Sequence, residues 1–374
     1  MKILHFFKTY YPDAYGGVQQ VIYQLAEGAV KRGHEVDVLC LSAENAGRNF
    51  NIANHSVHAA KEDFYIASTG FSWSAIVEFR RLAEKADIIH YHFPWPYMDL
   101  VHFWVNPKKP TVVSYHSDIV KQKYLLQLYK PLMMSFLNKV DAVVASSPNY
   151  VKTSPVLSSL KKDVEVIPFG LEKVSPSYAE LSLSNKWNDK IKGRFFLFIG
   201  FLRYYKGLSF VLDAMRGLDY PLIIIGEGPC EKELKSQADK LGLKNTLFVG
   251  PVSDAEKNIL LELCYAVVFP SHLRSEAFGM TLLEASMYGK PMITCEIGTG
   301  TTYINMHGET GLAVEPANSE ALSSAMKKLW DDQDEAERMG KNAKARFEHN
   351  FTADVMIDKY MTLYEKIISN YYSS

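Results

Sequence analysis

The chain has 374 residues, of which 47% are apolar and 13% aromatic, and its 41 Lys plus Arg against 42 Asp plus Glu leave a formal charge of −1. At ~150 residues per domain this length points to two domains. Balanced charge with so much apolar material excludes a disordered chain and a polybasic nucleic-acid binder.

The opening MKILHFFKTYYPD has too short an apolar run for a signal peptide, and no stretch reaches the ~18 apolar residues of a membrane span. The four cysteines, Cys40, Cys230, Cys264 and Cys295, form no CxxC pair. A cytoplasmic protein with reduced thiols is expected. Short apolar runs then alternate with stretches of helical period, which predicts an α/β protein with parallel sheets covered by helices on both faces. In the first half the strands are expected at Ile3 to Phe6, Val36 to Leu41, Asp87 to Tyr91, Thr111 to Tyr115, Ala142 to Ala145 and Val164 to Ile167. Between the first two, Val18, Val21, Ile22, Leu25, Ala26 and Ala29 recur at three and four, and Gly33 closes the helix. Lys108 to Lys173 is locally basic, with ten lysines against five acids.

The polar, serine-rich stretch Glu172 to Arg194 reads as a linker. A second series of strands follows at Phe195 to Ile199, Leu222 to Ile225, Thr246 to Val249, Ala266 to Phe269, Met292 to Thr294 and Leu312 to Val314. From Ser319 to Tyr371 the composition is helical, longer than one sheet face requires, and its last part is expected to cross back to the first domain. The predicted organisation is a domain over 1–180, a second over 195–350 and a terminal helix over 351–374.

Open α/β sheets bind ligands at the carboxyl ends of their strands, and two such sheets facing a cleft would hold a ligand between them. Gly16 and Gly17 precede the first helix, where paired glycines let backbone N–H groups approach an anion; a plain flexible turn is the other reading. After the first strand of the second half, FLRYYKG delivers Arg203 and Lys206 to the sheet edge, which suits a phosphate-rich ligand as well as it suits a solvated loop. The next strand ends in GEGP, with Gly226 and Gly228. The most informative stretch is SHLRSEAFGMTLLEASMYGKP, in which Glu276 precedes and Glu284 lies within a helix expected to start near Gly279. Two carboxylates so placed stand ~12 Å apart at 1.5 Å per residue. That is too far to share one proton, so they should serve different groups of an extended ligand. The N–H groups of Phe278, Gly279 and Met280 lie between them, open to negative charge. No strand-end DxD supports a metal site, because Asp332, Gln333, Asp334 falls in the acidic run DDQDEAE of the helical tail.

GGV near the start, G…KG after the first strand of the second half, GEGP, and E-x7-E with FG together resemble the retaining glycosyltransferases of family 4. The likeness covers essentially the whole chain and extends to bacterial lipopolysaccharide and O-antigen mannosyltransferases. It implies the GT-B fold, two Rossmann-like domains facing a cleft, and transfer of a sugar from a nucleotide-sugar to an acceptor with retained anomeric configuration. The donor would lie mainly in the C-terminal domain and the acceptor mainly in the N-terminal one. By position, the resemblance puts Lys206 and Gly17 on the donor diphosphate, with Gly16 and Gly226 beside the nucleotide-sugar, and Glu284 on the ribose hydroxyls. Glu276 would sit by the donor sugar, and the N–H groups of Phe278, Gly279 and Met280 on sugar and phosphate. His116, in SYHSD, matches the family's histidine near the reacting centre; a histidine packed after a strand is the plain alternative. The family has arginine directly after the strand-ending glycine, whereas this chain has Phe201 there and Arg203 two places later. Arg203 is expected to compensate in part.

Cleavage of the donor develops negative charge on the departing diphosphate, which Lys206, Arg203, the Gly17 amide and the helix start can stabilise without a metal or other cofactor. Retention can proceed by double displacement at Glu276 or by front-face attack, in which Glu276 and His116 orient the sugar; the second is expected. CEIGTGTTYIN resembles a stretch of lipopolysaccharide mannosyltransferases and so implies GDP-mannose, with Tyr303 and Asn305 either on the donor or packing the loop. Trp95, Tyr97 and Asp99 in HYHFPWPYMD suit either an acceptor sugar or loop packing. The helix after His116 repeats apolar pairs from Tyr124/Leu125 to Phe136/Leu137, carries Pro131, and is bordered by Lys121, Lys123, Lys130 and Lys139. It either packs on its own sheet or touches an anionic membrane that presents a lipid-linked saccharide. A UDP-sugar donor, a nucleotide-sugar binder without transfer activity and a nicotinamide-dependent oxidoreductase compete with this reading; the last lacks its GxGxxG fingerprint.

Overall fold

In a computed structural model the protein is described over residues 1–67, 69–119, 123–173, 184, 186–188 and 190–373. Much of the expected linker, and Lys121, lie outside the described residues. The chain divides into two units, one of Met1–Glu172 with Thr352–Ser374 and the other of Lys173–Phe351.

In the first unit the apolar runs become β1 (Lys2–Phe6), β2 (Glu35–Ser42), β7 (Ile88–Phe93), β8 (Thr111–Tyr115), β9 (Ala142–Ala145) and β10 (Val164–Val166). Two strands that the sequence reading did not anticipate, β3 (Arg48–Ile52) and β4 (His55–Lys61), extend the sheet, and β5 (Phe64–Ile66) with β6 (Thr69–Phe71) makes a separate hairpin. The eight-stranded order is β10-β9-β8-β7-β1-β2-β4-β3. Only β3 runs antiparallel to its neighbour. RNFNI contains no apolar run, because β3 is a largely exposed edge strand held by its backbone ladder, whereas HSVHAAK is mostly buried but mixes histidine and serine with its apolar residues.

The second unit holds six parallel strands, β11 (Phe196–Ile199), β12 (Leu222–Ile225), β13 (Thr246–Gly250), β14 (Ala266–Phe269), β15 (Met292–Cys295) and β16 (Gly311–Val314), in the order β13-β12-β11-β14-β15-β16. The side chains of β11, β12, β14 and β15 are buried, as continuous apolar runs require, while those of the edge strand β13 are half-buried. Phe196, Phe198, Ile224 and Val268 pack with Leu212, Met326 and Leu329 of flanking helices. Fully burying each of these contributes about 1.5–3 kcal/mol.

Helix Ala353–Ser373 belongs to the first unit, where it lies against helix Gly17–Lys31. Gly28 permits that approach, since a Cβ there would stand 2.1 Å from Ile357 Cδ1. Tyr360 and Tyr364 of the same helix are fully buried over the sheet. Among the described residues no helix is long and apolar enough to cross a membrane.

Candidate active site

In the second unit, β11 leads through Gly200 into a single 3-10 turn, Tyr204–Lys206, which Gly207 closes with φ +69°. A Cβ on Gly207 would stand 2.1 Å from the Pro270 carbonyl oxygen. Only glycine lets the loop after β11 lie this close to the loop after β14. The two loops bring Lys206 Nζ within 2.5 Å of Glu276 Oε2, with both side chains 13% exposed. Ser271 Oγ donates to the same carboxylate oxygen at 3.3 Å, and the ring of Phe269 lies 4.9 Å from the ammonium. An ion pair so sheltered gains little net stability, because both ions have lost water. An arriving phosphate can therefore take the ammonium from the carboxylate at small cost.

Beyond Glu276, Gly279 adopts φ 97° and starts helix Met280–Met287, which has no side-chain N-cap. Amides at an uncapped helix start bind anions. Phe278 is buried, and Gly300 leaves it room, since a Cβ at Gly300 would stand 2.4 Å from the Phe278 ring. Within the helix, Glu284 is paired with Lys257 at 2.8 Å, and Lys257 reaches Asp254 at 2.9 Å. Burial alone would lower the Lys257 ammonium, but Glu284 and Asp254 outweigh it and hold it above the usual lysine range. Lys257 fixes the Glu284 carboxylate, and nothing in DAEKNILLEL marks it out from other helix lysines. The structure thus groups Lys206 with Glu276 and the start of the helix that carries Glu284.

Other candidates have plainer explanations. Gly226, at φ +125°, is required because a Cβ would stand 2.1 Å from the Gly200 carbonyl oxygen. Arg203 is exposed, with its guanidinium 5.0 Å from the ring of Phe201. Tyr303 and Asn305 pack the loop. Tyr303 lies under Arg346, and the buried Asn305 amide donates to Thr294 Oγ1 at 2.9 Å and to the Leu312 carbonyl at 3.1 Å. Asn305→Ala strips these partners inside the core and is expected to destabilise the second unit by about 2 kcal/mol. Urea unfolding checks this, and an unchanged midpoint contradicts it.

In the first unit, helix Gly17–Lys31 starts after Gly16, again without a side-chain cap, and both glycines are exposed. Lys8, at the exit of β1, is a cation that the sequence reading passed over; burial lowers its pKa. Trp95, Tyr97 and Asp99 are not available to an acceptor sugar. All three are buried: Trp95 Nε1 donates to the Gly70 carbonyl at 3.1 Å, the Tyr97 hydroxyl to the Ser72 carbonyl, and Tyr129 donates to Asp99. Burial pushes the Asp99 carboxyl far above its ordinary range. In helix Lys123–Lys139, Met133, Phe136 and Leu137 are buried while Tyr124 and Leu128 are 87% and 81% exposed. The helix packs mainly by its second half, with Tyr129 of the first half reaching Asp99.

His116 is buried directly after β8 and is one of four histidines on one sheet face. Strand alternation puts His90 and His92 on the same side, and register sets His5 beside His90 and Ser114 beside His92. His116 Nε2 lies 2.9 Å from His92 Nδ1, and His92 Nε2 lies 3.0 Å from His5 Nδ1. His90 bonds the Tyr364 hydroxyl at 2.6 Å and the Ser114 hydroxyl at 2.7 Å. Only His116 stood out in the sequence; the signal for the others was the two-residue spacing HYH, at a central strand.

Burial drives His5 and His116 down to about 3, and His90 and His92 well below their usual value. Folded pKa values below the ordinary 6.5 mean that the unfolded chain takes up protons first as pH falls through 6.5. Each such imidazole then removes about 1.4 kcal/mol of stability per pH unit. The first unit is expected to unfold at markedly lower urea at pH 5.5 than at pH 7.5, and equal midpoints contradict a neutral histidine cluster.

Residues 15–172 match the family described as Glycosyltransferase Family 4, and residues 182–346 that described as Glycosyl transferases group 1. D-rhamnosyltransferase WbpZ of Pseudomonas aeruginosa is 52% identical over 94% of this chain and 93% of its own length. O-antigen chain mannosyltransferase C of Escherichia coli is 47% identical over 99% of this chain and 100% of its own. Among solved structures, sucrose-phosphate synthase of Thermosynechococcus elongatus aligns with a TM-score of 0.81 at 18% identity, covering 99% of both chains. Anabaena Alr3699/HepE in complex with UDP aligns at 0.78 and 19% identity, covering 98% of this chain and 100% of its own. Fold and sequence together define a glycosyltransferase of two Rossmann-like domains, the GT-B fold. The chain belongs to the glycosyltransferase families that these matches describe.

Proposed function

We propose that the protein transfers mannose from GDP-mannose, with retention and without a metal, to a saccharide or lipid-linked acceptor in O-antigen synthesis. The observation that carries this is the sheltered Lys206–Glu276 pair beside the uncapped start of the helix bearing Glu284. The two close relatives carry names for mannosyl and D-rhamnosyl transfer. D-Rhamnose is 6-deoxy-D-mannose, so a manno-configured sugar fits both. A D-rhamnosyl donor is the second reading, favoured by the 52% identity to WbpZ.

In this reading the donor diphosphate displaces Glu276 from Lys206 Nζ and also rests on the first-turn amides of helix Met280–Met287, while Glu284, held by Lys257, accepts from the ribose hydroxyls. The sugar–phosphate bond breaks with its electron pair leaving on the phosphate. The acceptor oxygen attacks from the same face, and its proton passes to the departing phosphate oxygen. Glu276, released from Lys206, orients the sugar, and His116 presents a ring nitrogen to it. Positive charge fixed where negative charge develops is the main source of rate. Arg203 adds to it in part from its place over Phe201. The amides behind Gly16 and Gly17 offer a further phosphate contact. The exposed first half of helix Lys123–Lys139, with Lys130, rests on the anionic inner face of the cytoplasmic membrane.

Incubation with GDP-mannose, GDP-D-rhamnose, UDP-glucose and NADH, with and without EDTA, tests the reading. GDP release from GDP-mannose that survives EDTA is expected. Turnover of UDP-glucose alone, or binding without release, contradicts it. Salt-sensitive sedimentation with anionic vesicles is expected, and its absence removes the membrane contact.

A further inference from the structure

The first unit turns apolar side chains outward on three neighbouring helices. Trp73 and Val77 on helix Trp73–Lys85, Leu100 and Trp104 on helix Pro96–Val105, and Tyr124 and Leu128 on helix Lys123–Lys139 are exposed, each pair four residues apart on one helix face. A surface helix ordinarily gives that face to polar residues. The inward faces are apolar too, with Ala75, Phe79 and Leu82 buried on the first helix and Met98 and Val101 on the second. The outward pairs are therefore surplus to the core.

These pairs adjoin. The indoles of Trp73 and Trp104, 63% and 61% exposed, meet edge to face with centroids 6.1 Å apart. Tyr129 donates to Asp99 where the second helix meets the third, one residue along the chain from Leu128 and Leu100. The hairpin of β5 and β6 touches the second helix and adds the exposed Tyr65 and Ile66. Apolar surface that continues over several elements marks a contact site, as scattered exposed residues do not.

Charge identifies the partner. From Pro96 to Lys139 the chain has six lysines and two acids. Neither acid is exposed: Asp99 is buried, and Asp118 accepts from the Tyr115 hydroxyl at 2.9 Å and the Ser154 hydroxyl at 2.6 Å. Lys108, Lys130 and Lys139 are exposed. On the first helix Glu78 is taken by Arg81 at 2.9 Å, and Glu84 stands two turns beyond Val77. Cations beside indoles match the headgroup zone of an anionic bilayer, where aromatic rings sit between water and acyl chains and lysines meet phosphates.

We propose that this three-helix face is a membrane-docking surface, with Trp73 and Trp104 set at the headgroup level of an anionic bilayer. It rests on the membrane contact proposed for helix Lys123–Lys139 and extends it to two further helices and the β5–β6 hairpin. A lipid-linked acceptor is then met in the plane of the membrane that carries it.

The test is tryptophan fluorescence of the full-length protein on vesicles of phosphatidylcholine and phosphatidylglycerol, with bromine near the head of one acyl chain to quench any indole that reaches it. Wild type is expected to bind and to be quenched. Trp73→Phe with Trp104→Phe keeps the apolar face, so binding should persist while the quenching is lost, Trp95 and Trp187 being buried. Trp73→Ser with Trp104→Ser should weaken binding about tenfold or more, and Lys108→Gln with Lys130→Gln about fivefold for each charge removed. GDP release in solution should be unchanged in both tryptophan variants. Bound protein without quenching, or a serine pair that binds like wild type, overturns the proposal and leaves the contact to helix Lys123–Lys139 alone. No binding overturns both. Equal binding to pure phosphatidylcholine, or a stable dimer in solution that shields both indoles from acrylamide, overturns the choice of partner. Quenched indoles with no nucleotide-sugar turned over would sink the functional reading and leave the docking surface standing.

Discussion

Lys206→Ala is expected to lower kcat/KM for the donor by about 10²–10³-fold while the fold survives. The size follows from removing a fixed cation from the place where the leaving diphosphate gathers charge, which is the magnitude found when one preorganised donor is deleted. Some stability is lost as well, because Glu276, at 13% exposure, is left without the ammonium while Ser271 Oγ still donates to it. The effect should fall on kcat more than on KM, since the charge Lys206 meets grows as the bond breaks. Lys257→Met acts differently. It unpins Glu284, so it should raise KM for the nucleotide and leave kcat nearly unchanged. Steady-state kinetics on both variants checks the contrast, and equal effects on KM contradict it.

Gly207→Ala is expected to damage the second unit strongly. The position sits at φ +69°, which L-residues tolerate poorly, and the new Cβ would meet the Pro270 carbonyl oxygen at 2.1 Å and His272 Nδ1 at 3.2 Å. The loop after β11 must retreat from the loop after β14, separating Lys206 from Glu276. Strain and overpacking together come to about 3 kcal/mol, or a fall in Tm of about 6–12 °C for a unit of this size. Gly217→Ala is the control: it has φ +76° but nothing within 4 Å of the added Cβ. It should cost about 1 kcal/mol and leave transfer intact. Equal melting temperatures for the two variants contradict the role given to loop contact.

The two sheets were legible because parallel strands are buried on both faces and so appear as unbroken apolar runs such as FFLFI and LIII. β3 and β4 were not: β3 is a largely exposed edge strand held by backbone bonds, and β4, though mostly buried, mixes histidine and serine with its apolar residues. Within the candidate site, the placing of Glu276 before the helix and of Glu284 within it was readable because both stand on one loop-to-helix stretch, where spacing carries geometry. Lys257 was not, because its partner is on another helix and one lysine on an amphipathic surface looks like any other. HYHFPWPYMD left two readings open for a related reason. Aromatic residues at a strand end look like a sugar platform, yet the turn sends Trp95 and Tyr97 inward to carbonyls of Gly70 and Ser72. The histidine row was half visible: HYH shows the alternation, but the companion His5 is far away in sequence and only β1–β7 register brings it alongside.

A crystal structure of the protein with GDP bound is the most direct measurement. Diphosphate oxygens on Lys206 Nζ and on the amides at the start of helix Met280–Met287, with both ribose hydroxyls on Glu284 and Glu276 released from Lys206, are the predicted result. GDP bound elsewhere, with the Lys206–Glu276 pair closed and Glu284 untouched, would contradict the assignment of this site to the donor.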